Sequence, residues 1–183
     1  MAMPTYYTKS RLQTYAAANQ HKYKVRENIL RKSASTARAT IFLSHSHADL
    51  EQLDKATLDA IKILLADVDV DVYIDAFDPN MPSITSAATA EILKERIRSC
   101  DKLVVVATNN AVNSRWVPWE LGYGDGEHGV ERCAILPIAD ASGVWKGSEY
   151  MQLYRHILPT DSGPGIFSPE GKNGRFVKAW VSS

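Results

Sequence analysis

No apolar run in the sequence approaches the ~18 residues of a membrane span, and none opens the chain as a signal-peptide core would. Cysteine is scarce: Cys100 and Cys133 are the only two, too few for a secreted disulfide framework. No G-x-x-x-x-G-K-[ST] or G-x-S-x-G pattern occurs, which excludes a P-loop and a hydrolase elbow; the one G-x-G-x-x-G run, Gly124 to Gly129, follows a helix candidate instead of opening one after a strand, so it does not read as a standard dinucleotide turn. Net charge is missing too, with 21 Lys/Arg against 21 Asp/Glu. These absences predict a protein of a reducing cytoplasm, without a nucleic-acid or membrane partner.

What remains is ordinary for a globular chain: 183 residues, 45% apolar and 23% charged. That length suits one domain of ~150 residues plus an extension. The charge is unevenly spread. Residues 1–38 carry eight Lys/Arg and one acid, Glu27, leaving −7 for residues 39–183. We therefore divide the chain into a basic helical extension, 1–38, and a domain, 39–183. The extension reads as one helix from Tyr6 to about Lys32, with Leu12, Tyr15, Ala16, Tyr23, Ile29 and Leu30 as a loose apolar stripe. Docking on its own domain, oligomerisation and capture of a partner are all open to such a helix, docking being the simplest.

From Ala39 the pattern alternates. Ala39–Leu43, Val70–Ile74, Lys102–Ala107 and Arg132–Ile138 read as strands. Between them lie a helical period from Leu50 to Leu65, opened by a capping-box spacing at Ser46–Asp49, and a helix over Ile84–Ser99 with Ala88, Ile92 and Ile97 inward. A third, short helix holds Trp116 to Glu120 and is expected to end at Gly122, Gly124 and Gly126. This order predicts an α/β fold, a flavodoxin-like parallel sheet with helices on both faces. Beyond Ala139 the chain reads as loop-rich, closing on a short helix that includes Phe176–Trp180.

The stretch after strand 102–107 carries the chemistry. Asn113 or Ser114 is a suitable N-cap, and Pro118 falls in the first turn, where its missing N–H costs nothing. Trp116 and Glu120, four apart, share a helix face just past the C-terminal end of a parallel strand, where such sheets bind ligands. The plain alternative is two core tryptophans and a solvated acid.

His45-Ser46-His47-Ala48-Asp49 has the H-x-H-x-D spacing of zinc hydrolases of the metallo-β-lactamase type. That pattern needs a further histidine after the aspartate, where Leu50 stands, and His21, His128 and His156 lack metal-like spacing. No metal is expected, and His45 and His47 read as loop residues.

In this order, three segments resemble a TIR (Toll/interleukin-1 receptor) domain. Ile41-Phe42-Leu43-Ser44-His45 is similar to the first TIR box, with histidine in place of its tyrosine. Tyr73-Ile74-Asp75 and the proline-bearing loop to Ser83 resemble the second strand and its loop. Ser114-Arg115-Trp116-Val117-Pro118-Trp119-Glu120 resembles the tryptophan–glutamate segment of TIR enzymes, and Pro118 to Tyr123 is typical of stand-alone bacterial members such as those of Thoeris-type phage defence. The resemblance covers about residues 39–140. It implies cleavage of NAD⁺ at the nicotinamide–ribose bond, yielding ADP-ribose or a cyclic or conjugated ADP-ribose signal for a downstream effector. Glu120 is the implied catalytic residue; Ser44, His45, Ser46, His47, Asp75, Ile84 and Trp116 are the implied substrate contacts. NAD⁺ is then substrate, and no cofactor is implied. The family also uses the loop at 75–83, here with Phe77, Pro79, Met81 and Pro82, to pack on a neighbouring subunit. Two rivals stand beside this reading: a non-catalytic TIR interaction module, and an enzyme resembling nucleoside deoxyribosyltransferases.

Overall fold

A computed structural model describes residues 5–32, 39–47, 49, 53–75, 78 and 86–183. Strands β2 (Thr40–Ser44), β3 (Asp71–Tyr73), β4 (Lys102–Ala107), β5 (Cys133–Ala139), β6 (Arg155–Thr160), β7 (Gly163–Phe167) and β8 (Arg175–Phe176) lie in the order β3-β2-β4-β5-β6-β7-β8. β3 to β6 pair in parallel, and β7 and β8 complete the edge antiparallel. The helices are α1 (Lys9–Lys32), α2 (Lys55–Ala66), α3 (Ala87–Ser99), α4 (Val117–His128) and α5 (Val177–Val181). The flavodoxin-like α/β order is as the alternation predicts.

Strand pleating sorts the core into two layers. Ile41, Leu43, Val104, Val106, Ala134 and Leu136 face one side with Leu12 of α1, Ile61 and Leu64 of α2 and Trp180 of α5. Phe42, Leu103, Val105, Cys133 and Ile135 face the other with Leu93 and Ile97 of α3 and Val117 and Leu121 of α4. Ser44 has the parity of Phe42, which turns it toward α4.

Several elements differ from the sequence expectation. Tyr7–Thr8 is a strand, β1, not helix: Tyr7 sits opposite Ile138 and Thr8 opposite Ala139, beyond the point where β6 pairs with β5. Helix α1 then docks on α2, with Leu12 buried, the Tyr15 hydroxyl 2.9 Å from Asp67, Lys22 2.6 Å from Asp67 and Lys9 2.7 Å from Asp54. The basic arm thus meets acids of its own chain. The side chains of Ile29 and Leu30 lie outside the described set. α2 starts at Lys55, where Asp54 caps it, accepting from the Thr57 N–H at 2.8 Å; Leu50, the expected start of the helical period, lies outside the described residues. In α3, Ile97 is buried as expected, but Thr89 and Leu93 are buried in place of Ala88, which is exposed, and Ile92, which is half-buried.

Helix α4 does not stop at its glycines. It continues to His128 and ends at Gly129, whose φ of +83° suits the left-handed side of the map. At Gly124 a Cβ would stand 2.5 Å from Leu103 Cδ1, so the glycine lets α4 approach the sheet closely. The region after Ala139 is likewise more ordered than its loop-like composition suggests. β6 and β7 pair through backbone bonds that tolerate Pro159, Pro164 and the glycines.

Candidate active site

The C-terminal ends of β2, β3 and β4 converge on the start of α4. The N-cap of α4 is Trp116, not Asn113 or Ser114, and Ser114 Oγ accepts from the N–H groups of Trp116 (3.2 Å) and of Val117 (3.3 Å), the first helical residue. Pro118 lies in that turn, as expected. The Glu120 N–H bonds the Trp116 carbonyl at 2.8 Å, which sets the two residues one turn apart. Trp116 is half-buried, with its ring edge-on to Trp119 at 5.4 Å, while Glu120 is buried.

Glu120 points into the protein, and the Ser44 hydroxyl donates a short hydrogen bond to its Oε2. Burial pushes its pKa up to about 7; the Ser44 hydrogen bond opposes this, the Asp75 charge adds to it and His47 draws it down. At neutral pH this carboxyl is poised between its two forms, a property common at functional sites.

Asp75, buried at the end of β3, faces both histidines. Its Oδ2 lies 2.8 Å from His47 Nε2 and its Oδ1 lies 3.5 Å from His45 Nδ1. The two imidazoles stack with centroids 4.5 Å apart. His47 is more than half exposed and has a raised pKa, chiefly through its hydrogen bond to Asp75. His45 is buried, and its pKa is lowered by burial against the opposing pull of Asp75.

Of the expected contacts, Ser44, His45, Ser46, His47, Asp75 and Trp116 are therefore gathered round the mouth of the sheet with Glu120. Ser46 is buried there through its backbone turn to Asp49 (3.3 Å). Ile84 and loop residues Phe77, Pro79, Met81 and Pro82 lie outside the described residues. Sequence reasoning missed a second network: Asp49 is buried and accepts from Thr108 Oγ1 and, at 3.4 Å, from Asn110 Nδ2. It ties the loop after β2 to the loop after β4. The polar Thr108-Asn109-Asn110 run after an apolar strand was its one visible signal. Beside Trp116 opens a cleft of about 570 Å³ between α3 and α4, bordered by Lys94, Arg115, Trp116 and Trp119.

The family description "TIR domain" matches residues 41–161, about two thirds of the chain. The chain belongs to the TIR domain family. This TIR domain is also 36% identical, over 121 residues, to the probable 3′ cyclic ADP-D-ribose synthase ThsB′ of Bacillus cereus (strain MSX-D12). That alignment takes in 64% of this chain and 59% of the relative, so less than two thirds of the relative's length is spanned. The match runs past the boundary near residue 140 expected from the boxes, because the TIR domain includes β6. Among the described residues, no helix of this TIR domain is long and apolar enough to cross a membrane.

Proposed function

We propose that this protein cleaves NAD⁺ at the nicotinamide–ribose bond, as a nucleosidase or cyclase. The observation that carries the reading is Glu120, a buried carboxyl at the mouth of a parallel sheet, hydrogen-bonded to Ser44 and one turn from Trp116. A relative whose name describes a cyclic ADP-ribose synthase supports it.

The chemistry asks little in proton transfer. Nicotinamide leaves as a neutral base, so the barrier lies in positive charge developing on the ribose as the C–N bond lengthens. As a carboxylate, Glu120 stabilises that charge and binds ribose hydroxyls; a low-dielectric surrounding strengthens the effect. Trp116 supplies an apolar wall that limits competing water, and Ser44 orients the carboxylate. His47 and Asp75 are polar contacts on the β3 side, while Lys94 and Arg115 border a cleft whose charge suits a pyrophosphate. Whether water or an internal hydroxyl or nitrogen then attacks the ribose decides between linear ADP-ribose and a cyclic or conjugated signal for an effector.

The reading includes self-association through the loop at 75–83, and a site in a reducing cytoplasm in anti-phage defence. The experiment is incubation of purified protein with NAD⁺ across a hundred-fold dilution series, with nicotinamide and nucleotide products resolved by chromatography and mass spectrometry. Release of nicotinamide, rising per subunit with protein concentration, is expected. No release at any concentration, from a folded and self-associated protein, would instead make this a TIR interaction module.

A further inference from the structure

The H-x-H-x-D spacing suggested Asp49 as the carboxylate partner of the histidines, but both Asp49 oxygens are engaged by Thr108 and Asn110. The fold supplies a different carboxylate. His45, His47 and Asp75 each offer one donor atom within 4.8 Å of the others. We propose that these three residues form a binding site for a borderline divalent cation of the zinc class, next to Glu120.

The second observation is His45 itself. Its side chain is 3% exposed, and Nδ1 has no hydrogen-bond partner among the described residues, although it lies 3.5 Å from Asp75 Oδ1. A buried polar atom without a partner is rare in a folded protein, and an ion is one of the few groups that satisfies it. The donor spacing also fits. Zinc–ligand bonds of about 2.0–2.1 Å in tetrahedral geometry hold donors roughly 3.3 Å apart; His47 lies 2.8 Å from Asp75 Oδ2 and His45 3.5 Å from Asp75 Oδ1, and one donor atom from each of the three residues falls within 4.8 Å of the others. Two imidazoles and one carboxylate favour zinc or a neighbouring transition metal over magnesium and calcium, which want all-oxygen shells. The exposed His47 gives an ion a way in.

The NAD⁺ reaction proposed above needs no metal, and it uses these same side chains as polar contacts. On that reading, zinc and substrate compete, so the ion is an inhibitor. The binding site does not depend on that reading, because binding is measured directly. The test titrates Zn²⁺ into metal-free full-length protein against a chromophoric chelator at pH 7.5, with His47→Gln, Asp75→Asn and, as control, His21→Gln. One zinc per chain is expected. Each of the first two substitutions, in variants that melt as the parent does, should weaken binding by at least about tenfold, and the control should not. Should one variant fail to fold, the other carries the comparison alone. Absence of saturable binding as zinc is raised to the millimolar range would overturn the site, as would undiminished binding in a folded His47→Gln or Asp75→Asn protein. Zinc inhibition of NAD⁺ cleavage by the parent protein then tests the competition separately.

Discussion

Lys102 and Glu120 are both charged residues buried at the sheet, at opposite ends of it, and they are treated differently. Lys102 opens β4; its Nζ donates to the Ser183 carbonyl at 2.9 Å and lies 5.3 Å from the centre of the Trp180 ring. Burial lowers its pKa, and the surrounding contacts are of a kind that only holds the structure together. Glu120, at the other end, has a hydroxyl donor in Ser44, an acidic neighbour in Asp75 and the opposing influence of His47, and burial raises its pKa to about 7. A buried charge with partners that suit it is architecture. One kept at the edge of ionisation at a strand's C-terminal end is a group held ready for something else.

The comparison breaks most sharply at Glu120 itself. Glu120→Gln keeps the shape and the bond to Ser44 but loses the charge, so NAD⁺ cleavage should fall about a hundred-fold or more. Near-normal nicotinamide release from the folded variant would remove Glu120 from the reaction. Since the free carboxyl titrates near 7, kcat/KM of the parent should drop by about tenfold per pH unit below that value. A profile flat from pH 5 to 8 would contradict the assignment.

Stability gives the second contrast. The folded pKa of Glu120 is raised from 4.5 to about 7, so the native state holds a proton that the unfolded chain releases over that window. Native stability should therefore fall as pH rises from 4.5 to 7, by roughly 3 kcal/mol at most, and stay low above it. Glu120→Gln removes the penalty, so the variant should melt above the parent at pH 8 and near it at pH 5. Lys102→Ala should do the reverse of the catalytic change: about 2 kcal/mol or more of lost stability through the vacated packing against Trp180, with turnover per folded molecule unchanged. A loss of activity without a loss of stability would place Lys102 in the wrong class.

The smallest expected effects sharpen the geometry between the two ends. Gly124→Ala brings a methyl against Leu103 and should cost about 1–3 kcal/mol in packing, offset in part by helix propensity. Gly122→Ala meets nothing within 4 Å and should stabilise by somewhat under about 1 kcal/mol. Thermal melts of the pair would show whether close approach, rather than helix termination, explains these glycines.

The sequence by itself determined which segments form the central strands, because apolar runs rich in β-branched residues such as Leu103–Val106 have no stable place but a buried sheet. It also determined the pairing of Trp116 with Glu120, since a four-residue spacing on a helix is local geometry. Only the tertiary structure decided the rest. The capping-box spacing at Ser46–Asp49 is locally as good as the Asp54 cap, and what separates them is that Asp49 is taken by Thr108 and Asn110, 59 and 61 residues away. The glycines of α4 read as a stop until Leu103 is seen beneath Gly124. β1 is only two residues long and β6 and β7 carry proline or glycine, and they form because strands of the sheet offer them backbone partners. The carboxylate facing the histidines is Asp75 rather than the neighbouring Asp49 for the same reason: side-chain chemistry is written locally, but which groups meet is settled by strands that pair at long range.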